Sequence, residues 1–258
     1  MLNYILKTTG KSSVVYLGHS QGTTQMFASL SDPATSEYVN SKISKFVALA
    51  PVTYLSNNKI PILYTMALNP GVLLYNANLF NDYLLFPAQC QQPTYSGQIS
   101  KYFCKYVAPI VCNNIYSLLD PNRDVDNTSR QTIFNEHAPA GSSVMNFVHY
   151  LQMVGESSYR PKFKKFNYGY FGNMKAYGQS TPPVYDFGRI RTKIRMFSGS
   201  ADILGDPTDV GLLYNNLKEK GVDVRHTVFR GWGHMTFVWA ENPSSQFERI
   251  LAAIREED

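Results

Sequence analysis

Apolar residues are spaced along this chain in two alternating ways. Residues 14–17 (Val-Val-Tyr-Leu) and 46–51 (Phe-Val-Ala-Leu-Ala-Pro) are short unbroken apolar runs, the pattern of strands buried on both faces. Residues 2–9 instead space Leu2, Ile5 and Leu6 at helical intervals and stop at Gly10, and residues 23–30 read as a second helix. The first fifty residues therefore predict helix, strand, helix, strand, the order of a parallel sheet with crossover helices. The same rhythm returns near the end. Strands are predicted at 194–198 and 224–229, a helix at 209–220 closed by Gly221, and a last helix at 244–255 with Phe247, Ile250, Leu251 and Ile254 on one face.

Between these blocks the rhythm is lost. Residues 52–186 are rich in Asn, Tyr, Phe and Pro, with helical patches near 61–86, 97–119 and 142–154 and an irregular Gly/Tyr stretch at 168–172. The fold class this predicts is α/β: a mostly parallel sheet with flanking helices, formed by residues 1–52 and 187–258. Residues 53–186 are expected to be an inserted, mostly helical cap. A chain of 258 residues suits one large domain carrying such an insertion.

Composition narrows the functions. Eighteen Tyr and fifteen Phe suit a site for apolar ligands as well as a plain core. The formal charge of +5 is spread out, and its densest run, Arg160-Pro-Lys-Phe-Lys-Lys165, is short and broken by Phe163. That pattern predicts a solvated loop and no nucleic-acid partner, while leaving attraction to an anionic lipid surface open. The longest apolar region, 60–86, is interrupted by Pro70-Gly71, Asn76, Asn78 and Asn81, so no transmembrane segment is expected. The first ten residues lack the basic start and apolar core of a signal peptide. Cys90, Cys104 and Cys112 have neither CxxC nor His-rich spacing; one disulfide with one free thiol, or three reduced thiols, both fit. No metal site and no cofactor are expected. The sequon Asn127-Thr-Ser129 leans towards the secretory pathway.

The chemistry concentrates in three loops. Gly18-His-Ser-Gln-Gly22 follows directly on the 14–17 strand and runs into a helix, the surround that a nucleophile elbow requires. There Ser20 must sit on a sharp strand-to-helix turn in a strained conformation. The glycines two residues to either side remove Cβ atoms that would otherwise collide. The Gln21 N–H, next in the chain, is the expected oxyanion donor. A base and an acid should follow in the order Ser, acid, His. Of five histidines, His234 in Gly231-Trp-Gly-His-Met235 hangs past a strand on a flexible loop. His19 is expected to point elsewhere, His137 and His149 to lie in the cap, and His226 within a strand. Asp202, just past the 194–198 strand, is the expected acid. Asp206 before Pro207 and Asp209 at a helix start are better explained as turn and N-cap residues.

These residues stand within longer blocks. Gly18-His-Ser-Gln-Gly-Thr-Thr24, Ala48-Leu-Ala-Pro51, Asn127-Thr-Ser-Arg130, His137-Ala-Pro-Ala-Gly-Ser-Ser143, Pro182-Pro-Val-Tyr-Asp186, Asp202-Ile-Leu-Gly-Asp-Pro207 and Gly233-His234 resemble, in order, the acid lipase family of gastric and lysosomal type. The resemblance implies the α/β-hydrolase fold, hydrolysis of triacylglycerols or cholesteryl esters, and a secreted or lysosomal glycoprotein. It implies Ser20 as nucleophile, Asp202 as acid and His234 as base, with neutral lipid esters and a lipid surface as partners. It also implies a cap disulfide between Cys90 and Cys104, leaving Cys112 free. In that family the elbow lies deeper in the chain, after several strands and a His-Gly turn that supplies a second oxyanion N–H. The resemblance therefore implies that these N-terminal strands are absent here. Losing one donor typically costs about 10²–10³ in rate. The chain as written is expected to be a weak, poorly soluble hydrolase. The rivals are an esterase of small soluble esters and a catalytically inactive lipid-binding or storage protein on the same scaffold.

Overall fold

The computed structural model describes residues 1–80, 84, 85, 122, 124–130 and 141–256. The apolar runs become β1 (Val14–His19) and β2 (Ile43–Leu49), followed by a two-residue antiparallel pair, β3 (Leu84–Leu85) with β4 (Ser142–Ser143), and then β5 (Lys193–Gly199) and β6 (Val224–Phe229). β1, β2, β5 and β6 form one sheet in that order, every pairing parallel. The register sets His19, Leu49, Phe197 and Thr227 in one line across the sheet. Backbone bonds continue the ladder past the strand ends, from Ser20 N–H to Leu49 O (3.0 Å), Ala50 N–H to Phe197 O (2.8 Å) and Ser200 N–H to Phe229 O (3.0 Å). The loops that follow β1, β2, β5 and β6 thus leave from one edge at fixed mutual distances.

The helices are α1 (Leu2–Thr9), α2 (Gln21–Ser31), α3 (Ser36–Lys42), α4 (Pro61–Ala67), α5 (Gly71–Phe80), α6 (Val144–Val154), α7 (Gly169–Tyr177), α8 (Pro207–Glu219), α9 (Thr236–Trp239) and α10 (Ser244–Arg255). Their ends follow from local chemistry. α1 stops at Gly10, whose φ of 66° is the left-handed conformation open to glycine. α8 starts at Asp206, whose carboxylate accepts from Thr208 N–H at 2.7 Å, with Pro207 at the first helical position.

Alternation along β2 and β5 divides the core. Phe46, Ala48, Ile194 and Met196 join Phe27 and Leu30 of α2 and Leu213 and Leu217 of α8 on one face. Val47, Leu49 and Phe197 join Phe229, Trp232, Phe237 and Ile250 on the other. Each fully buried side chain of this kind stabilises the fold by about 1.5–3 kcal/mol. β1 stands at an edge, with Val15 and Leu17 exposed.

No described residue of 53–186 joins the four-stranded sheet, and Tyr54, Leu55, Met153, Val154 and Phe163 pack into the same core as α2 and β2. Several sequence expectations need correcting. The stretch 168–172, read as irregular, enters helix α7; Asn173 anchors it by accepting from Tyr168 N–H at 2.9 Å and donating to Asn167 Oδ1 at 2.8 Å. α3 is an additional helix with little apolar spacing. The basic run is not simply solvated: Phe163 is buried, Lys164 pairs with Glu156, and Lys165 pairs with Asp32 at the end of α2. On α10, Leu251 is exposed and Ile250 with Ala253 and Ile254 makes the buried face. Cys90, Cys104, Cys112 and His137 lie outside the described residues.

Candidate active site

Ser20 lies between the last residue of β1 and the first of α2, at φ 53° and ψ −119°. A non-glycine residue there is strained by roughly 1–3 kcal/mol, so surrounding contacts must hold it. Thr23 supplies some of them. Its hydroxyl donates to Ser20 O at 2.6 Å and accepts from Val52 N–H at 3.2 Å. Gly18 serves the close approach of strand and helix, since a Cβ there would lie 2.9 Å from the Gly22 carbonyl carbon and 2.8 Å from the Tyr16 ring. A Cβ on Gly22 would meet only the Tyr16 hydroxyl, at an ordinary 3.5 Å, so the expected collision holds for Gly18 alone. Gln21 begins α2, so its N–H has no intrahelical acceptor and points out at the positive end of the helix.

The three loops meet. His234 Nε2 is 2.7 Å from Ser20 Oγ, and His234 Nδ1 is 2.9 Å from Asp202 Oδ2. Asp202 and His234 are both buried. With Nδ1 facing a carboxylate, that nitrogen carries the hydrogen and Nε2 presents its lone pair to the serine hydroxyl. The other carboxylate oxygen, Oδ1, accepts from Gly205 N–H at 2.7 Å and Leu204 N–H at 3.0 Å. Burial pushes the Asp202 carboxyl up, but the facing His234 and these two amide donors outweigh it and hold the group below the usual carboxylate range. Asp202 therefore stays ionised at neutral pH.

The loop carrying His234 is pinned, which corrects its reading as flexible. Trp232 is buried, Gly231 N–H donates to Ser200 Oγ at 2.8 Å, and Ala201 N–H donates to Trp232 O at 2.9 Å. Gly199 permits this contact, since a Cβ there would lie 2.0 Å from Trp232 O. The Asp202 and His234 loops are thus laced to each other ahead of both side chains. Asp206 and Asp209 are engaged elsewhere. Asp206 caps α8 and pairs with Lys59 at 3.0 Å, and Asp209 accepts from Asn57 N–H at 2.8 Å and Ser56 Oγ at 3.2 Å.

His19 is the main surprise. It does not point away: its Nε2 lies 2.9 Å from the backbone oxygen of His234, and the two rings are 5.3 Å apart. Facing a carbonyl, that nitrogen must be the protonated one. Burial and the neighbouring His234 push His19 down to about 4, so it stays neutral above that pH. His226, on β6, bonds Ser198 Oγ at 2.7 Å, and His149, on α6, bonds Lys164 O at 2.9 Å. Among the described residues, no group of three His, Cys, Asp or Glu side chains is arranged to hold a metal.

Residues 1–241 match the family model of the alpha/beta hydrolase fold. The chain belongs to that family. Among curated proteins the chain is similar to lipase lipl-1 of Caenorhabditis elegans, at 31% identity over 99% of this chain and 62% of the relative. It is similar to the gastric triacylglycerol lipase of Rattus norvegicus at 30%, over 99% of this chain and 62% of the relative. Similarity to lysosomal acid lipase/cholesteryl ester hydrolase of the same animal is 32%, over 98% of this chain and 61% of the relative. The chain thus spans about three-fifths of the length of the curated relatives it matches. Among solved structures, a monoacylglycerol lipase of Paleococcus ferrophilus shares the fold with a TM-score of 0.51 at 15% identity, over 98% of this chain and 72% of that one.

Proposed function

We propose that this alpha/beta hydrolase cleaves carboxylic esters of neutral lipids through an acyl-enzyme on Ser20. The observation that carries the reading is the hydrogen-bonded chain from Ser20 through His234 to Asp202, mounted on a strained elbow. Ser20 Oγ attacks the ester carbonyl as its proton passes to His234 Nε2. Negative charge collects on the carbonyl oxygen, opposite the Gln21 N–H and the N-terminal end of α2. Collapse expels the alcohol, which takes the proton from His234. Water then repeats the sequence on the acyl group and regenerates Ser20. Asp202 keeps the imidazole in the required tautomer and stabilises its cationic form without itself becoming protonated.

The substrate class rests on the relatives, whose names specify triacylglycerol and cholesteryl ester. Residues 53–186 are read as the cap over the acyl-binding side, and a lipid surface as the physical partner. No helix among the described residues is long and apolar enough to cross a membrane. A secreted or lysosomal setting, a glycan on Asn127 and a Cys90–Cys104 disulfide belong to the same reading.

Fluorophosphonate labelling tests it. A serine labelled in the wild type and lost in Ser20→Ala, together with turnover of a triacylglycerol emulsion, is the expected result. Labelling with turnover of soluble short esters alone points to a small-ester esterase. An unlabelled wild type that still binds lipid points to a binding or storage protein.

A further inference from the structure

Helix α6, from the inserted segment, lies beside the elbow helix α2 and touches it through two side-chain contacts. Gln21 Nε2 donates to Asn146 Oδ1 at 2.8 Å, and Tyr150 Oη donates to Thr24 Oγ1 at 3.2 Å. Asn146 and Tyr150 are four apart on α6, and Gln21 and Thr24 are three apart on α2, so each pair lies on one face of its helix. The Asn146 end of the first contact is held in place. Asn146 Nδ2 donates to Ser142 Oγ at 2.8 Å, and Asn146 N–H to Ser143 Oγ, the α6 N-cap, at 3.1 Å. The Asn146 amide is thus spent on both sides, accepting from the elbow and donating to its own helix start. Thr24, at the second contact, hands its proton on to Val52 O at 2.8 Å.

We propose that Asn146 is a positioning residue that fixes Gln21, and so couples the seating of the inserted helix to the alignment of the oxyanion donor. The inference rests on the ester-hydrolase reading above and deepens it. Ser20 is strained, and the peptide joining it to Gln21 carries the N–H that meets developing charge. A backbone held out of its relaxed conformation needs a restraint on each side. The bond from Ser20 N–H to Leu49 O supplies one before the turn; after it, Thr23 holds Ser20 O and Asn146 holds the Gln21 side chain from 125 residues away. The contact also makes the elbow answer to the cap. If α6 lifts, Gln21 loses its acceptor and the Gln21 N–H is free to rotate off line.

The test measures second-order labelling of Ser20 by a small fluorophosphonate, and kcat and KM for a soluble ester, on the intact chain. Asn146→Leu removes the acceptor, and Asn146→Ala repeats the measurement should the leucine variant fail to fold. Misplacing one donor without deleting it is expected to slow labelling and kcat about tenfold with KM unchanged, since 1 Å errors cost up to roughly 10²-fold. Gln21→Leu should do the same, and the double variant should be no slower than either single one. Gln152→Leu is the control for a loosened α6. It removes two bonds from Gln152 to the Asn167 backbone, far from Gln21, and should lower Tm while labelling stays at the wild-type rate. Wild-type labelling in the Asn146 variants, additive losses in the double variant, or equal slowing in Gln152→Leu would each overturn the proposal. An unlabelled wild type would instead remove the hydrolase reading, and this inference with it.

Discussion

The half-buried imidazole of His19 gives the fold a pH dependence that can be calculated and measured. In the native protein its pKa is pushed down to about 4, by burial first and the adjacent His234 second. In the unfolded chain it returns to about 6.5. The unfolded state therefore takes up a proton first as pH falls, so this group's contribution drains away between about 6.5 and 4 and is flat below. From pH 7.5 to 4.5 the loss is about 2.5 kcal/mol, close to two pH units at 1.36 kcal/mol each. His19→Gln isolates it, because a Gln amide can still donate to His234 O but does not titrate. Trp232 and Trp239, both buried, report urea unfolding by fluorescence. The wild type should lose about 2.5 kcal/mol more than His19→Gln across that pH change. His149 and His226, also pushed down by burial, titrate in both proteins and cancel. Asp202, held low, loses its contribution only as pH falls through its native pKa below 3.8, outside the window. Parallel stability-versus-pH lines for the two proteins would refute the account of His19.

Asp202→Asn should leave Tm nearly unchanged but lower kcat by about 10⁴, because an amide facing Nδ1 favours the wrong tautomer; near-normal kcat would exclude the orienting role. Gly199→Ala must move the Trp232 carbonyl, 2.0 Å from the new Cβ, and is expected to cost about 3 kcal/mol and slow Ser20 labelling; a Tm equal to wild type would show that the loop yields freely. Asn127 accepts from Ser129 Oγ within its sequon. Expression through a secretory pathway should give a glycosidase-sensitive mass shift that Asn127→Gln abolishes, and a shift that survives the substitution assigns the glycan elsewhere.

What the sequence makes legible here is what repeats locally. The strands of both α/β blocks are short runs between turn signals, and the structure places them as expected, with bounds moved by at most three residues and those of 224–229 unchanged. The spacing of Gly18, Ser20 and Gly22, with a strand before and a helix after, points to the elbow without help from distant parts. Other features depend on contacts between remote segments. α7 contains two glycines and is held by the Asn167–Asn173 network, which no hydrophobic period reveals. His19 keeps the alternation of β1 and lies on the face of Leu49 and Phe237, but what it meets there, the His234 loop, comes from a segment 215 residues away. The bond from Gln21 to Asn146 spans 125 residues and involves two ordinary amides. The pinned His234 loop depends on Gly199 and Trp232, which carry no motif.

Ser20 and His234 are separated by 214 residues and are brought together only by the order β1-β2-β5-β6, in which each strand is added on the same side as it occurs in the chain. Such long-range pairings form slowly, after many shorter contacts. During synthesis Ser20 emerges before His234, which follows β6, the fourth strand of this sheet. On the ester-hydrolase reading, a growing chain on the ribosome therefore carries Ser20 without its proposed base until the His234 loop emerges, 214 residues later. Reactivity towards a fluorophosphonate should appear abruptly once the His234 loop has emerged and docked, which makes the label a clock for completion of the sheet.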